Sequence, residues 1–245
     1  MSPYLSVIIP AYNEEKRINK TLKIVWDYLS RQGYSWEIVV VIDGARDDTA
    51  SLVKAFMKGK ENALRLIDRK ENRGKGYTVR EGMLFARGSV RLFTDADNST
   101  DISHFDKMQL YFESGHDVVI ASRDPKDAKG ATQAVSQPFF KRILGNMGNL
   151  FIQLVAVSGI WDTQCGFKAF TAAAAQKIFS VSRIDRWGFD VEALALTHRN
   201  RFRVGIIPAR WVNDEASHVT LGGYIGVLIE TIKIRWWLIR GVYER

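Results

Sequence analysis

The amino-acid sequence predicts an α/β fold built on an open, mostly parallel sheet with helices on both faces. Three observations predict it. Short runs rich in Val and Ile, at residues 5–9 and 38–42, end at Pro or at Asp-Gly, as buried parallel strands do. Between them Ile18, Leu22, Val25, Trp26 and Leu29 fall at helical spacing, which makes the first unit βαβ. The alternation then repeats, with 64–68, 90–94 and 118–121 reading as strands and 50–58, 75–86 and 103–113 as the helices between them. Ser103 with Asp106 has the spacing of a capping box opening the last of these helices. In such sheets ligands lie beyond the carboxyl ends of the strands.

After Ser122 the alternation stops. Residues 139–157 are apolar except for Lys141 near the start and one stripe, Arg142, Asn146, Asn149 and Gln153, so a helix there shows one narrow polar face. That suits a core helix or one lying between a polar site and lipid. Residues 224–243 contain no proline and read as one helix with two apolar stripes. Ile225, Leu228, Ile229, Ile232, Trp236, Ile239 and Tyr243 form the first; Val227, Ile234 and Leu238 form the second, with Lys233, Arg235 and Arg240 flanking them. A helix apolar on two faces can dock on the protein with one and enter a headgroup region with the other. Trp236-Trp237 beside cations suits an anionic leaflet, although a core or oligomer-contact helix fits the same pattern.

The 245 residues, 46% of them apolar, can bury one α/β core, so a single domain over 1–245 is expected. The 35 Lys+Arg against 27 Asp+Glu leave a net charge of +8, which attracts polyanions: nucleic acid, anionic headgroups or diphosphates. No helix-turn-helix, finger or aromatic-rich sheet motif supports nucleic acid. The single cysteine, Cys165, excludes an internal disulfide, suits a reducing compartment and reads as a packing residue. No signal-peptide pattern opens the chain and no apolar run reaches the ~18 residues of a membrane span, which points to a cytoplasmic protein.

Asp95-Ala96-Asp97 follows a strand, where two carboxylates at i and i+2 can share a hard divalent cation whose shell a diphosphate completes. Pro10-Ala11-Tyr12-Asn13-Glu14-Glu15 and Asp43-Gly44 end two other strands, so carboxylates gather along one sheet edge. Like charges held together call for a cation. The glycines of Asn72-Arg73-Gly74-Lys75-Gly76 permit a tight turn into the helix that follows, and helix N-termini favour anions.

These stretches, with Ala121-Ser122-Arg123, Asp162-Thr163-Gln164-Cys165-Gly166-Phe167-Lys168 and Arg186-Trp187-Gly188-Phe189-Asp190-Val191-Glu192, resemble the inverting GT-A-fold glycosyltransferases of family 2. The likeness is to the dolichyl-phosphate glucosyltransferase and mannosyltransferase group, and it covers nearly the whole chain. The last two stretches look closer to the glucosyl branch. The resemblance implies transfer of a hexose from UDP-glucose, or alternatively GDP-mannose, to a polyprenyl phosphate with inversion at C1. It also implies a Mg²⁺ or Mn²⁺ cofactor and a peripheral place on the cytoplasmic face of a membrane. Residues 1–122 would be the nucleotide-sugar half, 123–222 the acceptor side and 223–245 the interfacial helix. A non-catalytic binder of membranes or polyanions that kept the fold is the alternative of a different class.

Carried over residue by residue, Pro10, Tyr12, Glu14 and Asp43 would line the nucleoside pocket, with Lys75 near the nucleotide. Asp95 and Asp97 would bind the cation and the donor diphosphate. Arg123 matches the family's acceptor-phosphate arginine, and Arg142 and Lys168 could complete that basic pocket. Gln164 with Asp162, Asp190 and Glu192 could hold sugar hydroxyls, or the acids could serve in ion pairs. A phosphate acceptor, largely dianionic above its second pKa near ~6, needs no general base. His218 stands where the family usually has Lys, in a segment expected to close over the diphosphate. An imidazole titrating near ~6.5 would make donor binding pH-dependent there.

Overall fold

The structure, a computed structural model, describes residues 2–133, 139–211 and 221–244. Strands β1 (Leu5–Ala11), β2 (Trp36–Asp43), β3 (Leu64–Arg69), β4 (Val90–Thr94) and β5 (Val118–Ser122) stand where the Val/Ile runs place them. Helices α1 (Ile18–Leu29), α2 (Thr49–Met57), α3 (Lys75–Phe85) and α4 (Phe105–Glu113) lie between them. A short pair, β6 (Thr132–Gln133) and β9 (Arg210–Trp211), forms a separate parallel ribbon. Helix α5 (Phe139–Val155) leads to β7 (Phe167–Thr171), α6 (Ala172–Phe179), α7 (Phe189–Arg199), β8 (Val204–Pro208) and finally α8 (Leu221–Ile239).

The seven-stranded sheet has the order β3-β2-β1-β4-β7-β5-β8. All neighbours run parallel except β7, which is antiparallel to both β4 and β5. Alternate residues feed two cores. Ile8, Val39, Val41, Phe93, Ile120 and Phe170 pack with α3, α6, α7 and α8. Val7, Ile9, Val40, Leu92, Val119 and Phe167 pack with α1, α2 and α4. β1 is buried at every position, each such Val or Ile contributing about 1.5–3 kcal/mol.

Two local expectations are corrected. The turn into α4 is capped by Asp101, whose carboxylate accepts from Ser103 N–H at 2.8 Å, while Asp106 accepts from the Tyr28 hydroxyl. Helix α8 stops at Ile239, and a turn of 3₁₀ helix (Val242–Glu244) folds Tyr243 back into the core. There Tyr243 packs edge-on to Trp237 and donates to Glu192, so it does not extend the outer stripe.

Candidate active site

β2 and β3 lie on one side of β1 and β4 on the other, so the winding reverses between β1 and β4, and a crevice opens beyond their carboxyl ends. Pro10 marks the opening. β1 pairs with β2 as far as Ala11↔Ile42 but with β4 only to Ile8↔Phe93, so its missing N–H falls where the β4 ladder has ended. Pro10 is buried, whereas Tyr12 is 41% exposed. The loop after β1 is tied to the loop after β2: Asn13 Oδ1 accepts from Arg46 N–H (2.9 Å) and Glu14 N–H donates to Thr49 Oγ1 (2.8 Å). The Glu14 carboxylate pairs with Arg17 at 2.7 Å.

Asp43, at the end of β2, turns inward. Oδ1 accepts from Arg69 Nη2 (2.6 Å) and Arg73 N–H (2.8 Å), and Oδ2 accepts from Gly74 N–H (2.8 Å). It thereby anchors the turn that starts α3. Gly74 is needed there, because its φ is +102° and a Cβ would stand 2.4 Å from the Asp185 carbonyl oxygen. The 72–76 turn is thus clamped against the 184–187 loop, which places Lys75 beside Trp187 (5.5 Å to the ring centroid).

Asp95 and Asp97 sit on a turn fixed from several sides. Asp95 N–H donates to the Gly166 carbonyl (3.2 Å), Thr21 Oγ1 on α1 donates to the Ala96 carbonyl (2.6 Å), and Ser99 N–H donates to Asp97 Oδ1 (2.9 Å). Lys75 Nζ lies 2.6 Å from Asp95 Oδ1. Burial works against the Lys75 ammonium, but Asp95, Asp190 and Asp97 outweigh it and hold its pKa above the ordinary lysine range. The pair fits a divalent cation on two observations. Asp95 Oδ1 is buried with no well-formed hydrogen bond, and the carboxylate fills a cradle on Gly166 where a Cβ would come within 2.1 Å of Oδ2. Among the described residues no third acid, His or Cys joins them.

Behind this edge Lys168, Asp190, Arg123, Asp162 and Glu192 are all paired or capped. Lys168 Nζ is fully enclosed in β7 and donates to Asp190 Oδ1 (2.5 Å) and the Cys165 carbonyl (2.6 Å). Arg123, just past β5, grips Asp162 through Nε (2.7 Å) and Nη2 (2.8 Å), and its backbone N–H donates to the same carboxylate. Burial alone would raise Asp162, but the guanidinium overrides it and holds the carboxyl below its usual range. Glu192 accepts from Arg183 N–H, Ile184 N–H and the Tyr243 hydroxyl.

Residues 6–179 match the family described as Glycosyl transferase family 2. The chain belongs to glycosyltransferase family 2. It is 36% identical over 241 residues to a dolichyl-phosphate beta-glucosyltransferase of Trichomonas vaginalis, covering 94% of this chain and 72% of that one. A dolichyl-phosphate beta-glucosyltransferase of Saccharomyces cerevisiae is 33% identical, covering 98% and 77%. Among solved structures, glucosyl-3-phosphoglycerate synthase of Mycobacterium tuberculosis in complex with Mn²⁺, UDP and glucosyl-3-phosphoglycerate superposes with a TM-score of 0.63 at 16% identity, covering 96% and 79%. This family 2 member is therefore a glycosyltransferase enzyme with the GT-A fold.

The enzyme brings Tyr12, Glu14, Lys75, Asp95 and Asp97 to the crevice end of the sheet. Asp43 supports the α3 turn there with both oxygens engaged by the chain itself. Lys168 differs from the expected open basic pocket: it lies in an interior strand, where only a charge matched by Asp190 is tolerated. Asp162, Asp190 and Glu192 take the ion-pair and capping roles, and Gln164 is half-buried with its N–H directed to Asp162 Oδ1 (3.3 Å). The Arg142 side chain and all of His218 lie outside the described residues. Sequence reasoning did not assign Gly166 or Trp187 a place at the site, though both lie inside the stretches that carry the family resemblance.

α8 divides as its two stripes require. Val227 and Ile234 are buried, while Ile225, Ile229, Ile232, Trp236 and Ile239 are exposed. α5 packs beside it and exposes Met147, Leu150 and Leu154. No helix among the described residues is long and apolar enough to cross a membrane.

Proposed function

We propose that this enzyme transfers glucose from UDP-glucose to a polyprenyl phosphate of the dolichyl type, with inversion at C1 and with Mg²⁺ or Mn²⁺. The observation that carries this reading is the one-third identity to dolichyl-phosphate beta-glucosyltransferases along 94–98% of the chain. In it, Tyr12 and the 12–15 loop receive the nucleoside and Asp43 holds the turn that presents Lys75. Asp95 and Asp97 would hold the cation, which when bound neutralises charge on the leaving diphosphate. Arg123, oriented by Asp162 at the end of β5, would bind the acceptor phosphate. The carboxylates behind the edge are engaged in ion pairs and caps, which suits an acceptor that is already anionic and needs no base. Catalysis is then alignment and charge neutralisation.

The exposed faces of α5 and α8 dock, in this reading, on the anionic cytoplasmic leaflet that carries the lipid acceptor. Lys233 and Arg240 support it: they lie 4.7 Å over the rings of Trp237 and Trp236, an arrangement that seats cation and indole together at a headgroup boundary. Incubation with a polyprenyl phosphate and radiolabelled UDP-glucose or GDP-mannose, followed by organic extraction, tests the function. Label from UDP-glucose should enter the lipid phase. Label from GDP-mannose alone would reassign the donor, and no label from either would remove the lipid-phosphate acceptor.

A further inference from the structure

Two lysine–aspartate pairs meet behind the carboxyl edge, and only one is well made. Lys168 has its ammonium directed at Asp190 Oδ1 and the Cys165 carbonyl. Lys75 stands 2.6 Å from Asp95 Oδ1, yet that buried oxygen receives no well-formed hydrogen bond. The backbones of both partners are held. The Asp95 carboxylate lies flat on Gly166, and its backbone is held by the Gly166 carbonyl. Lys75 opens α3, whose first turn is clamped through Gly74 and the Tyr77 N–H to the Asp185 carbonyl. The ammonium supplies charge to Asp95 without supplying a good ligand.

We propose that Lys75 is an exchangeable counter-ion: it neutralises Asp95 before the donor arrives, yields that carboxylate to a divalent cation, and passes its ammonium to the donor's diphosphate. The proposal rests on the nucleotide-sugar and metal reading above. An ammonium and a divalent cation cannot both contact one oxygen without strong repulsion, so they compete for it. A diphosphate relieves the conflict by offering the displaced ammonium new oxygens. Cation and nucleotide therefore bind cooperatively, with Lys75 carrying the coupling.

Mn²⁺ titrations of the full chain without nucleotide, followed by the electron paramagnetic resonance of free Mn²⁺, test this. Lys75→Gln should bind Mn²⁺ about tenfold or more tightly than the wild type, because the competing charge is gone. Lys75→Arg should bind it more weakly, since a guanidinium fork can engage both oxygens of Asp95. At saturating Mn²⁺, Lys75→Gln should lose about tenfold in UDP affinity. Lys75→Gln binding Mn²⁺ no tighter than wild type, or no Mn²⁺ binding by either protein, overturns the exchange. Unchanged UDP affinity overturns the passage to the diphosphate. Should Lys75→Gln fail to fold, Mn²⁺ affinity of Lys75→Arg equal to or above wild type overturns the exchange by itself. These readouts involve no sugar or acceptor, so a transfer assay that reassigns either leaves them standing.

Discussion

Asp95 and Asp190 share a neighbourhood, yet the protein treats them differently. Asp190 is buried in α7 with Lys168, itself enclosed in a strand interior, built against it. Asp95 lies at the strand end, seated on Gly166, next to a lysine that neutralises it without satisfying it. α8 repeats the contrast in apolar terms: Val227 and Ile234 are enclosed by the core, while Ile225, Ile229, Ile232, Trp236 and Ile239 face outward. Residue type does not separate the two classes. What separates them is whether the fold itself supplies a partner.

The largest expected effect tests the unsatisfied side. Asp97→Ala should cut transfer on the order of 10³-fold or more, about 4 kcal/mol of transition-state stabilisation, while the unfolding midpoint stays at the wild-type value. Asp97 is half-buried at a strand end, where its Oδ1 accepts from the Ser99 N–H of its own turn. Near-normal turnover by the folded variant would move this carboxylate into the structural class.

The satisfied side predicts the reverse. Asp162→Ala removes the carboxylate that accepts from Arg123 Nε, Nη2 and backbone N–H, and should cost about 3 kcal/mol of stability, read as a lower urea midpoint. A stability change under 1 kcal/mol would show that Arg123 finds another partner as readily and that Asp162 is not its anchor.

Most of the sheet was legible in the sequence because β1, β2, β4 and β5 are buried on both faces and carry near-continuous apolar runs. β7 was not, although it lies in the sheet's middle, because Phe167-Lys168-Ala169-Phe170 breaks its apolar run with a cation. Only tertiary pairing with Asp190 makes that lysine tolerable, and local pattern carries no trace of a partner 22 residues away. The same limit governs the site. Asp95-Ala96-Asp97 was readable from its place after a strand, whereas the inward turn of Asp43 depends on a loop some 30 residues further on.

On α8 the outward stripe should govern lipid binding. Ile232→Ser with Trp236→Ser removes two exposed apolar side chains and leaves Val227 and Ile234 in place. Sedimentation with vesicles containing phosphatidylserine should weaken by about 10- to 30-fold, close to 2 kcal/mol, with the unfolding midpoint unchanged. Unchanged sedimentation of the folded variant would mean that a bilayer is not what covers this face.

The smallest effect falls on Cys165, between the two classes: it follows Asp162 by three residues, precedes Gly166, and shares the dry side of the loop with Lys168. Burial, with Asp162 nearby, pushes its thiol from 9.0 up to about 11. The sign follows from proton counting. Between those values the unfolded chain has released the thiol proton and the native chain has kept it, so native stability falls as pH rises. At pH 10 the loss from this one group is about 1.4 kcal/mol, one pKa unit's worth. Tyrosines and lysines also titrate there, so the informative quantity is the stability of the wild type minus that of Cys165→Ala. That difference should be constant up to about pH 8.5 and drop by about 1.4 kcal/mol by pH 10. A difference flat across the range would mean that water reaches the 162–166 loop in the native state. Asp162 and Lys168 would then be solvated like Asp97, and the division between enclosed and exposed charge would not hold at this edge.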